Sequence, residues 1–157
     1  MDQQTSRKDT IKIMDKAISD FVNEMTFVVN AMFEKNKKDN DIIEIRDGYM
    51  VAKRENPDCI LKLVGPYFWK YRADITSGKM NDLLKNDYKD DIMEAQGSLV
   101  DTSNFDKIQS IMSKIKRTWH LFTIHEQEIL KGKFIKMVSI YATYVGGCKY
   151  LEKLDSA

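Results

Sequence analysis

The sequence predicts an all-α protein, a compact bundle of five to seven helices whose two long C-terminal helices run antiparallel. Three observations predict it. Apolar residues recur at alternating spacings of three and four along three long segments. Helix-start chemistry stands at Asn56-Pro57, Ser103 and Thr123. The 157 residues, 43% hydrophobic and 31% charged, furnish one core and exclude a disordered chain.

Residues 1–10 read as a flexible polar leader, and residues 11–157 as a single helical domain. Ile11, Met14, Ile18, Phe21, Met25, Val28 and Met32 then form the face of a long helix capped near Asp9 or Thr10. Val22 and Val29 widen that face beyond a two-stranded seam. The helix should stop at Asn36–Asn40, where no apolar residue occurs. Residues 42–52 admit two readings. Ile42, Ile45, Tyr49 and Ala52 fit a helical face, and a small hairpin could instead turn at Asp47-Gly48. The helix is favoured because an isolated hairpin is marginal.

Asn56-Pro57, with Asp58 in the first turn, restarts the helix. Gly65-Pro66 interrupts the next segment, because Pro66 removes an amide and disfavours helical angles at Gly65; a kink or two short helices should result. Ser77-Gly78 ends it. Met80–Tyr88 is a short helix, Asp90–Ala95 a weaker one, and Gln96–Asn104 a loop. Ser103 caps a second long helix carried by Phe105, Ile108, Met112, Ile115, Trp119 and Phe122. Thr123 and Glu126 make a capping box that opens a last helix through Leu130, Phe134, Met137, Tyr141, Tyr144, Cys148 and Leu151. Gly146-Gly147 should end or kink it.

Net charge is +1, which carries no bias toward nucleic acid or an acidic membrane. The charge is uneven, +4 from Phe105 onward and −3 before it. Two distant cysteines, Cys59 and Cys148, fit neither a disulfide framework nor a zinc knuckle. No secretory or membrane-spanning segment is visible, so an intracellular place, cytoplasmic or virion-associated, is the default expectation.

No catalytic, metal or cofactor site is expected. His125-Glu126-Gln127-Glu128 fails as a zinc-protease helix because Ile129 stands where the second histidine belongs. Asp87, Asp90, Asp91 and Glu94 lack the spacing and glycine of a calcium loop. The acids read as a solvated face. Phe68, Trp69, Lys70, Tyr71 and Arg72, next to Tyr67, interleave aromatic and cationic side chains. Such a cluster either fills a core with its cations at the rim or presents a contact surface, since aromatics and Arg dominate interface energetics. Lys114, Lys116, Arg117, Lys131, Lys133 and Lys136 could form a basic patch that holds phosphates.

From Gly65 to Ile92 the wording Gly-Pro-Tyr-Phe-Trp-Lys-Tyr-Arg-Ala-Asp-Ile, then Leu-Leu-Lys-Asn-Asp-Tyr-Lys-Asp-Asp-Ile, resembles small uncharacterised helical proteins of large nucleocytoplasmic DNA viruses. The resemblance implies an accessory or virion component acting through protein contacts. The expected function is therefore non-enzymatic: an interaction or structural protein that binds another protein or itself. Nucleic-acid binding through the basic C-terminal helices is the alternative.

Overall fold

A computed structural model describes residues 3–85 and 103–156 of the chain. Among the described residues there are seven helices and no strand: α1 (Gln3–Glu34), α2 (Asn40–Glu55), α3 (Pro57–Lys70), α4 (Arg72–Thr76), α5 (Met80–Lys85), α6 (Ser103–Trp119) and α7 (Ile124–Asp155). The all-α bundle predicted from the apolar spacing is what forms.

The broadest packing joins the first helix to the last, each of 32 residues. They run antiparallel. Arg7 pairs with Asp155 at 2.7 Å at one end, and Lys35 with Glu126 at 3.2 Å at the other. α1 is thus an antiparallel partner of α7. α1 also begins far earlier than the expected leader allowed. Residues 3–10 are its first turns, held against α7 by the Arg7 pair and by Thr10, whose methyl lies beside Gly147. Only the fold brings those partners together.

Both diglycine and Gly-Pro breaks fail to break their helices. α7 runs through Gly146-Gly147, and Gly147 is buried where a Cβ would strike the side chain of Met14. α3 is likewise one helix across Pro66 rather than two short ones. Gly65 is buried there, and a Cβ on it would overlap the ring of Tyr141. The glycines act as contact points for helix packing, which outweighs their poor helix propensity.

The core follows from these contacts. Phe21, Val22, Ile60, Leu61 and Met137 are buried together where α1, α3 and α7 meet. Phe68 of α3 reaches into it, edge-on to Phe21 at 6.0 Å and tilted against Phe134 at 5.9 Å. A smaller cluster of Ile75, Leu83 and Val138 seats α4 and α5 on α7, with Tyr71 and Met80 against it.

The hairpin considered at residues 42–52 is not formed; they lie inside α2. Asp39 caps that helix by accepting the backbone N–H groups of Asp41 and Ile42. The Tyr49 hydroxyl donates to the Val22 carbonyl at 2.9 Å and lies 2.8 Å from the Thr26 hydroxyl, tying α2 to α1. Helix geometry is what aims Tyr49 and Ala52 at the core, and Ile42 is buried on the same helix. α6 docks across the α1–α2 turn through polar contacts. Asn36 donates to the Thr118 hydroxyl at 2.9 Å, and Lys114 pairs with Asp39 at 3.1 Å and Asp41 at 2.7 Å. Of the helix expected over Met80–Tyr88, α5 forms the described part; Asp90–Ala95 and most of the Gln96–Asn104 loop lie outside the described residues.

Candidate interaction surface

An α-helix turns 100° per residue, so α3 divides its sequence between two faces. Ile60, Leu61, Gly65 and Phe68 face the core. Lys62, Leu63, Pro66, Trp69 and Lys70 share the opposite side, all exposed. Leu63 is 65% exposed and Trp69 41%. These are large values for aliphatic and indole side chains six residues apart on the outward side of one helix.

The ridge is framed by cations. Arg72 opens α4 with its guanidinium carbon 4.2 Å from the Trp69 ring centre. Its Nη1 also donates to the Trp69 carbonyl at 2.8 Å. Two contacts therefore hold the guanidinium in place while it stays exposed. Lys62 reaches Asp58 at 3.0 Å one turn earlier, and the Lys70 ammonium lies 5.4 Å from the Tyr71 ring centre.

The structure splits the aromatic-basic cluster expected from sequence. Phe68 and Tyr71 pack into the two cores, whereas Trp69, Lys70 and Arg72 face outward. Leu63 and Pro66 were missed. Their signal was present, at six and three residues before Trp69, but it is readable only if Gly65-Pro66 lies inside a helix.

The six residues of the basic patch are mostly drawn into ion pairs. Lys114 is held by Asp39 and Asp41, Lys131 by Glu128 at 3.2 Å, and Lys133 and Lys136 by Glu24 at 3.0 and 2.9 Å. Lys116 and Arg117 stand on α6, Arg117 exposed. Lys133 and Lys136 of α7 thus turn toward α1, and Lys131 pairs along its own helix. Glu24 is 7% exposed. Burial favours its neutral form, yet the hydrogen bonds from Lys136 and Lys133 prevail and lower its pKa. Asp39 is lowered chiefly by its hydrogen bond from Lys114, and Tyr49 is raised by burial. These displaced groups serve packing contacts between helices.

His120 precedes the Thr123–Glu126 capping box, which forms as expected, and His125 lies within it; both histidines are exposed. Asp87, Asp90, Asp91 and Glu94 lie outside the described residues. An open depression beside α3 is lined by Asp15, Ser19, Asn23, Lys53 and Asp58 over Ile18 and Val22. A second is lined by Met80, Asp82, Trp119, Gln127 and Lys131. Among the described residues no three metal-ligating side chains gather, and no helix is long and apolar enough to cross a membrane.

Fold and ridge together define an all-α helical bundle with an exposed apolar-cationic face on α3. Comparison with protein-family models, curated proteins and solved structures finds no match.

Proposed function

We propose that the protein works by contact rather than by catalysis, binding a protein partner through the outward face of α3. The observation that supports this reading is the pairing of Leu63 with Trp69 on one exposed face, with Arg72 fixed over the indole. An apolar strip edged by an ordered Arg has the composition of an interface anchor. The setting that the sequence resemblance implies is an accessory or virion component of a large DNA virus. The nucleic-acid alternative draws less support, since four of its six basic residues already hold carboxylates.

The double variant Leu63→Ser, Trp69→Ala tests the reading. Circular dichroism and the melting temperature should be unchanged, because both side chains lie outside the core. Partner capture, and any self-association seen by sedimentation, should be lost. A folded double variant that captures as the parent does would sink the proposal.

A further inference from the structure

We infer that α6 is a strap whose seating is coupled to the start of α2, and that the coupling runs through the turn at residues 35–39. When α6 is drawn away, that turn slackens and the first turn of α2 frays with it. The inference does not depend on the reading of α3.

The turn is held by the side chains that stop one helix and start the next. Near the end of α1, the Asn36 side-chain amide donates to the Met32 carbonyl of the last turn at 2.9 Å. At the start of α2, Asp39 Oδ1 accepts the backbone N–H groups of Asp41 at 3.0 Å and Ile42 at 3.2 Å. Both capping side chains are shared with α6. The same Asn36 amide donates to the Thr118 hydroxyl at 2.9 Å, so its two N–H donors serve two helices. The Asp39 carboxylate receives the Lys114 ammonium at 3.1 Å, and Lys114 reaches Asp41 at 2.7 Å. Lys114 and Thr118 are four residues apart, so one face of α6 grips both sides of the turn. Lys35 adds a third link. It pairs at 3.2 Å with Glu126, the residue that closes the capping box of α7 just beyond α6.

These contacts support one another. Thr118 is buried, and Lys114 and Asp39 are largely so, which strengthens each bond and raises the cost of leaving a partner unmade. A seated α6 holds Asn36 and Asp39 in the orientations that cap. Once Lys114 and Thr118 leave, both side chains regain rotamer freedom, and holding them in their caps then costs entropy that α6 had already offset. The amides of Asp41 and Ile42 are among those that a helix start leaves without an intrahelical partner, so a loosened Asp39 is felt there first. Linkage makes the effect mutual: whatever frays the start of α2 weakens the seat of α6 by the same factor.

Amide exchange of the full chain, resolved residue by residue by NMR, tests the coupling. Thr118→Val is the decisive variant, because the Thr118 hydroxyl bonds to Asn36 and to its own helix. Exchange at Asp41 and Ile42 should rise at least about threefold, together with exchange over residues 114–119 of α6, while the amides of Phe21 and Met137 in the core keep their parent rates. Lys114→Met should act in the same sense and more strongly. Faster exchange on α6 with Asp41 and Ile42 unchanged overturns the coupling, and so do parent rates on α6 in both variants. Equal acceleration of the core amides overturns it as well, since α6 and the turn would then open only with the whole molecule. The unsubstituted chain gives a measurement free of any folding defect. Raised salt should speed the two segments together, because the Lys114 pairs are partly exposed. Salt that speeds α6 alone shows a strap that the turn does not feel, and the inference is lost.

Discussion

The two faces of α3 are built from similar material and do opposite things. Both carry large apolar side chains, Phe68 and Leu61 inside, Leu63 and Trp69 outside. Inside, each ring or branch has a partner: Phe21 and Phe134 for Phe68, and Tyr141 against Gly65. Outside, the partner for Trp69 is a cation. A helix that only needed to fold would place polar residues there. The contrast says that the inner face accounts for stability, and that the outer face needs a reason beyond it.

The largest expected effect breaks the inner face. Phe68→Ala should cost about 3 kcal/mol, because it vacates space shared by both apolar clusters. Urea unfolding followed by circular dichroism measures it. A cost no greater than that of Trp69→Ala would erase the distinction between the faces.

That distinction was only half legible in the sequence. The seams from Ile11 to Met32 and from Leu130 to Leu151 were readable because a core imposes its period on any helix packed against it. The Thr123–Glu126 box was readable because its partners are three residues apart. Gly65-Pro66 misled because local propensity argues for a break, whereas the closeness of Tyr141 is a fact of tertiary structure. The same holds for the N-terminal turns, whose partner Asp155 is 148 residues away, and for Lys114, whose carboxylates are 73 and 75 residues away. Lys114, Lys133 and Lys136, which looked like part of a free basic patch, were already assigned to distant acids.

A smaller effect, of opposite sign, sharpens the outer face. Pro66 is exposed inside a helix, where it denies Lys62 its hydrogen-bond donor. Pro66→Ala should restore that bond and stabilise the fold. The helix gain of about 3 kcal/mol is offset in part by the freer unfolded chain, about 0.4–1 kcal/mol, which leaves a net gain of about 2 kcal/mol. Partner binding should weaken at the same time, since the middle of the ridge is lost. A variant that is both more stable and binds unchanged would show that Pro66 is not part of the contact.

The smallest effect carries the comparison from apolar groups to charge. Glu24 sits buried between Lys133 and Lys136, while Asp58 and Lys62 form an exposed pair on the ridge. Glu24→Gln should cost about 1 kcal/mol at neutral pH, because two ammonium groups lose a shielded counter-charge. Asp58→Asn should leave the melting temperature unchanged, as solvent screens that pair. The pH dependence follows in sign. The Glu24 pKa in the folded state is depressed below its ordinary value of 4.5. Its contribution is therefore complete above 4.5 and fades as pH falls through the depressed folded value. Glu24→Gln should accordingly lose its deficit relative to the parent as the solution is acidified through that window. A deficit that persists to the lowest pH at which the chain stays folded would mean that the carboxylate matters for its shape in the α1–α7 contact, and not for its charge.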